Sequence, residues 1–243
     1  MTTTRYFSNT FYAEGVDIAK GVVMDASQRN IFGTTGGEAH IVTSEFRTPW
    51  ELASNYAFPT SAAQMTLVST SASDTAVTVL ILGLDADYNP ISEVKTLTGT
   101  TPITTTNSYF RVNDVVCTVG NAVGDITLSV GVNVYSKILA GTGRDQKSVY
   151  TVPKGYCFFL QRITAFCTDA NSGKAARFRN YLRSPDLNGR VLRVADTTFF
   201  ENMQILRQTP FKYDEKTDIE MQLRSLSSSA FGSIFAEGIL VKI

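Results

Sequence analysis

Residues 125–134 read DITLSVGVNV, and their alternation runs without a fault. Ile126, Leu128, Val130, Val132 and Val134 fall on one side; Asp125, Thr127, Ser129, Gly131 and Asn133 fall on the other. A period of two marks a half-buried antiparallel strand, so the stretch predicts one strand along its whole length. Upstream, residues 75–82 form an apolar, β-branched run, residues 83–90 (GLDADYNP) carry turn chemistry, and Val94 between Glu93 and Lys95 starts a return strand. Phe110 and Val112 share one phase, whereas Val115, Cys117 and Val119 take the opposite one. One extra residue around Asn113 and Asp114 restores the register, as a β-bulge does.

Downstream, residues 137–146 (KILAGTGRDQ) break the pattern with two glycines and mark a boundary. Residues 149–152 lead into a turn at 153–155, and the aromatic-rich run 156–166 reads as a strand. Turns at 169–173 and 184–189 bracket residues 177–183, and residues 190–194 follow. Ile219, Met221 and Leu223 alternate with Asp218, Glu220, Gln222 and Arg224, while Ile239, Leu240 and Val241 read as a buried closing strand. About ten strands, with helix confined to the first quarter, predict an all-β fold: an antiparallel β-sandwich of jelly-roll type.

Residues 1–65 do not share this periodicity. Glycines at 15, 21, 33, 36 and 37 interrupt each candidate element, so the segment is expected to be an irregular N-terminal arm that docks on its own domain or a neighbour. Residues 66–140 and 147–243 then form two β-rich regions, or together one sandwich. Within the arm, residues 48–52 (TPWEL) suit a short helical turn, with Thr48 as cap and Pro49 at the first helical position. Trp50, the only tryptophan, has two readings: a plug for the core, or an anchor into a neighbouring subunit.

From about residue 66 to 119 the sequence resembles a module of structural proteins in tailed bacteriophage particles, whose form here is GLDxxYxxISExxTLxGTTPxTTTNSxxRVN. The agreement lies in Gly83, Leu84, Asp85, Tyr88, Ile91, Ser92, Glu93, Thr96, Leu97, Gly99, Thr100, Thr101, Pro102, Thr104, Thr105, Thr106, Asn107, Ser108, Arg111, Val112 and Asn113. The chain departs from the pattern after Thr75, where the related sequences carry more small residues. The resemblance implies a non-enzymatic virion component assembled in the host cytoplasm, and it offers no catalytic residue.

The charge balance narrows the partners. The 22 Lys and Arg equal the 22 Asp and Glu, so no global basic field draws phosphates, and nucleic acid is not an expected partner. Nothing reaches the length of a membrane span, and the start of the chain lacks the basic and apolar regions of a signal peptide. Cys117, Cys157 and Cys167 are odd in number and sit in strand-like text, which favours buried free thiols. With His40 as the only histidine, a multi-histidine metal site is excluded and a Ser-His-Asp triad would have to use a glycine-rich loop. Asp85, Asp87 and Asn89 have the spacing of oxygen ligands, but Asp and Asn in turns ordinarily bond local backbone. No cofactor or metal is expected, and the acidic clusters, including Asp214, Glu215 and Asp218, do not point to an enzyme.

The densest basic run is Lys174, Arg177, Arg179, Arg183, Arg190 and Arg193. Arg177, Arg179, Tyr181 and Arg183 share one strand face, which reads as a solvated surface, as a contact for an acidic neighbour, or as a glycan-binding face. Together these readings predict a head decoration or cement protein that self-associates, as a homotrimer, and docks on capsid subunits. The alternative is a tail or neck accessory of fibre type that contributes to receptor binding.

Overall fold

The computed structural model describes residues 16–169, 172–188 and 190–243. The first fifteen residues of the expected arm, and parts of the turns at 169–173 and 184–189, lie outside the described residues. The strands are β1 (Ala26–Thr34), β2 (Ala63–Ser69), β3 (Thr78–Leu84), β4 (Pro90–Thr96), β5 (Ile103–Tyr109), β6 (Arg111–Val119), β7 (Ile126–Val130) and β8 (Asn133–Ile138). They continue as β9 (Val149–Thr151), β10 (Tyr156–Thr168), β11 (Ala175–Arg183), β12 (Val191–Phe200), β13 (Asn202–Tyr213), β14 (Asp218–Ser225) and β15 (Phe231–Lys242). Every pairing between them is antiparallel.

The largest sheet runs β1-β15-β10-β13-β12-β11-β14-β9. Its middle is a hinge: β13 and β12 share only the pair Phe200 and Asn202, across Glu201, whose φ is 62°. The ribbon therefore divides into two four-stranded layers, and both contribute to one core. Ile31, Phe158, Ile163 and Ile234 come from one layer; Tyr150, Phe178, Ile219 and Met221 come from the other. Numbered within this unit alone, the layers run first-eighth-third-sixth and fifth-fourth-seventh-second. That interleaving of eight strands is the jelly roll.

Strands β2 to β8 form a second, smaller sandwich inserted between the first and second strands of the jelly roll. Its layers are β5-β2-β7-β8 and β4-β3-β6, closed over Met65, Leu67, Val79, Ile81, Tyr109, Val115, Ile126 and Leu128. The alternation in β3 places Val79 and Ile81 inward at 0% exposure. The expected bulge is present: Leu82 pairs with Asp114 and Gly83 with Val112, which leaves Asn113 as the extra residue. Gly83 is needed there, because a Cβ would overlap the Arg111 carbonyl and the Tyr109 ring.

Three expectations change. The flawless run 125–134 is not one strand but a hairpin, turning at Gly131 (φ 57°) with Val132 94% exposed. Glycine there takes the left-handed backbone that a tight turn needs, which alternation alone does not reveal. Residues 26–34, inside the expected arm, form the edge strand β1, paired with β15 from Ala26–Val241 to Thr34–Ser233. Residues 50–54 form bends rather than a helical turn, and the Thr48 hydroxyl donates to Glu220 at 2.7 Å instead of capping a helix.

Candidate functional site

The arginine face is built by the period of β11. Ala176, Phe178 and Asn180 turn into the core at 0% exposure, which obliges Arg177, Arg179, Tyr181 and Arg183 to the outer face, all half-buried. Asp196 on neighbouring β12 is their hub. Its carboxylate accepts from Arg177 Nε at 2.6 Å and Nη2 at 3.0 Å, from Arg179 Nε at 3.0 Å and from Arg193 Nη1 at 2.9 Å. Burial pushes this carboxyl up, but the hydrogen bonds from Arg177 and Arg179 outweigh it and hold the pKa below the usual range.

The face is also layered on aromatics. Arg179 lies 3.7 Å over the Phe46 ring, and Arg224, directly across from Arg177 in the register, lies 5.2 Å over the same ring. Arg179 Nη1 donates to the Tyr181 hydroxyl at 3.0 Å. Arg183 pairs with Glu220 at 2.8 Å and sits 5.2 Å over Phe58. Among the described residues, Arg177, Arg179 and Arg193 pair with Asp196 and Arg183 with Glu220, while Arg224 stacks on Phe46, so these five guanidiniums exceed their two carboxylates by three charges. On a chain of zero net charge this is a local field, held in fixed geometry.

The same outer surface carries the junction with the inserted sandwich. Arg111 of β6 meets Asp218 of β14 in a fork of two bonds, and its Nη1 donates to the Pro59 and Phe110 carbonyls at 2.9 and 2.8 Å. The guanidinium stacks 3.9 Å over Phe110, and the Thr151 hydroxyl adds a bond of 2.7 Å to Asp218. The bulged Asn113 exchanges two bonds of 2.9 Å with the Thr151 backbone. A few residues away, Arg144 forks onto Asp114, and Lys147 touches Asp145, whose carboxylate also accepts from Val115 N and Ser136 Oγ. Beside them Glu51, 5% exposed, is pushed up to about 8 by burial first and by the Asp145 charge second.

Of the residues singled out from sequence, the structure brings Arg177, Arg179, Tyr181 and Arg183 together. Trp50 it places elsewhere, 2% exposed in a cluster with Tyr56 and Val149, its indole donating to the Ser54 carbonyl at 2.6 Å. Asp85 accepts from the Asp87 and Asn89 backbone, both at 2.9 Å, the local turn role of such residues. His40 is half-buried, and burial lowers its pKa. The three cysteines are free; Cys157 and Cys167 are buried, and Cys117 is half-buried. Asp196 and Phe46 escaped notice, and Asp218 and Glu220 were read only as part of an acidic cluster and of a strand's polar face. Asp196 had a signal, as an acid just after the last arginine of a basic run. Asp218 and Glu220 had none, since alternation assigned them to a wet face that segment 41–62 in fact covers.

No family model matches the chain, and no curated protein matches it. Among solved structures, the D431N mutant VP2 protein of infectious bursal disease virus, as T=1 particles, aligns with 74% of this chain and 54% of its own at 12% identity and a TM-score of 0.20. The Cry4Aa mosquito-larvicidal toxin of Bacillus thuringiensis aligns over 89% of this chain and 58% of its own, at 8% identity and a TM-score of 0.24. A VP2 subviral particle of the same virus gives 90%, 72%, 10% and 0.22. The chain thus spans little more than half of the first two, and TM-scores this low fall below those of a shared fold.

Proposed function

We propose that this chain is a structural subunit of a tailed-phage particle, a head decoration or cement protein that self-associates as a trimer and docks on the major capsid protein. The observation that carries the reading is the arginine face. It sets three excess guanidinium charges in fixed geometry on one outer layer of a chain whose net charge is zero, which fits docking on an acidic neighbour. The resemblance of residues 66–119 to a module of virion proteins supports it, and Arg111 and Asn113 of that stretch hold the inserted sandwich to the jelly roll. The test is sedimentation of the purified chain with empty phage heads. Co-sedimentation that falls with salt is expected, and free chain at low salt would overturn the reading.

A tail or neck accessory that contacts a host glycan is the second reading. Tyr181, half-buried among guanidiniums with its hydroxyl bound by Arg179, is the observation in its favour. Particles stripped of the chain separate the two. Weakened heads with normal adsorption support a cement role; intact heads that no longer adsorb support receptor contact.

A further inference from the structure

The linker that returns from the inserted sandwich to the jelly roll holds a sealed group of reactive side chains. Along residues 145–147 burial alternates, with Asp145 and Lys147 buried and Gln146 half-buried between them, which puts the two side chains on the same, inner side. Both side chains are 3% exposed, and the Lys147 amine lies against the Asp145 carboxyl. The carboxyl is polarised on both oxygens: Oδ1 accepts the Val115 N–H at 3.1 Å, and Oδ2 accepts the Ser136 hydroxyl at 2.7 Å. Glu51 completes the group. Its Oε1 is buried without a hydrogen-bond partner among the described residues, and its Oε2 has only a long contact of 3.5 Å from Gln146 N. Trp50, Tyr56 and Val149 form an apolar wall alongside.

We propose that Lys147 and Asp145 are joined by an amide bond between their side chains, formed spontaneously after folding, with Glu51 as the proton-transfer group. Lys147 Nζ bonds to Asp145 Cγ, and the Cγ–Oδ2 bond breaks. The departing oxygen leaves as water with two protons. An ammonium and a carboxylate, or equally an amine and a carboxylic acid, give one neutral amide and one water, with no oxidant or external reagent. The Val115 N–H occupies the place of an oxyanion donor to Oδ1. Holding amine and carboxyl in contact supplies the effective concentration that an uncatalysed condensation lacks. A sealed ion pair bears the desolvation cost of both charges, whereas the amide removes both. Burial and the neighbouring Asp145 charge keep Glu51 protonated near neutral pH, which suits it to deliver a proton to the leaving oxygen.

Mass spectrometry of the full chain, purified folded and then denatured, tests this. The tryptic fragment spanning residues 145–154 is expected intact, uncut after Lys147 and lighter than its encoded mass by one water. Full encoded mass with normal cleavage after Lys147 overturns the proposal and leaves an ion pair only. Lys147→Arg keeps the positive charge but has no nucleophilic amine, so it is expected at full mass. Loss of water in that variant as well would place the ring closure on the Gln146 backbone nitrogen and overturn the proposal. Glu51→Gln is expected to leave most molecules uncrosslinked; complete crosslinking in that variant overturns the role of Glu51. Should either variant fail to fold, the mass and digest of the unaltered chain still decide whether the bond exists.

Discussion

Arg111 and Asp218 meet through two nearly parallel hydrogen bonds of 2.8 and 2.9 Å, with side chains 8% and 7% exposed, and each belongs to a different sandwich. The pair ties β6 of the insert to the first residue of β14, so the two units share one buried charge cluster rather than a flexible linker. Such a pair specifies orientation more than it adds stability.

Removing one partner is therefore expected to cost far more than removing both. Arg111→Ala or Asp218→Ala should each lower unfolding stability by about 3–5 kcal/mol, because an uncompensated charge stays buried. A double variant with apolar residues of similar size should recover much of that loss. Denaturant unfolding of the four proteins measures it, and equal, additive losses would contradict a coupled pair.

Trp50→Ala should behave as a core truncation. With the indole buried in its own chain beside Tyr56, the expected loss is about 3–5 kcal/mol in unfolding stability. An unchanged melting temperature would contradict that placement.

Gly83→Ala should destabilise the insert by about 1–3 kcal/mol, since the added methyl has no room between the Arg111 carbonyl and the Tyr109 ring. Hydrogen exchange is the suitable readout. Protection should fall first in β3 and β6, while β10 and β15 keep theirs.

Glu51 gives the stability a pH dependence of defined sign. Its folded pKa, about 8, lies above that of an unfolded glutamate. Between the two values the folded state holds a proton that the unfolded state has lost, so this group makes stability fall as pH rises through that window and level off above about 8. Glu51→Gln should flatten this slope and leave the variant relatively more stable at alkaline pH. Parallel stability–pH curves for the two proteins would refute the assignment.

Arg177→Ala, Arg179→Ala and Arg183→Ala together should weaken docking to heads and make what remains less salt-sensitive, because charges that face an acidic neighbour are screened by salt. Dichroism must accompany the binding assay, as Asp196 keeps only Arg193 among its arginines and Glu220 loses its guanidinium partner. Folded protein that docks with unaltered salt dependence would remove the arginine face from the proposed interface.

The all-β class was legible because β3, β7, β10 and β14 are amphipathic or wholly apolar over short runs. The jelly-roll order was harder to read. It depends on β1 finding β15, and β1 carries Gln28, Arg29 and Asn30 in an edge strand with few apolar residues to announce it. β13 escaped for a different reason: between Leu206 and Phe211 it bulges opposite Leu160 and Arg162, and Pro210 interrupts the run. The arginine cluster was visible as a basic stripe, but its partner Asp196 lies on the next strand, and cross-strand register is not written in local sequence.

The placement of β1 and β15 has a consequence for biosynthesis. Their pairing joins residues about 200 positions apart, so the jelly roll cannot close until β15 has left the ribosome. The insert has all its strands between Ala63 and Ile138 and can condense much earlier, while β1 waits with an open edge. Each newly made chain thus passes through a stage in which one finished sandwich trails an unpaired strand. Ribosomes that stall just before residue 231 release a species in which β1 lacks its partner and β10 lacks one of its two, and edge-to-edge clumping of such fragments is the hazard this topology carries.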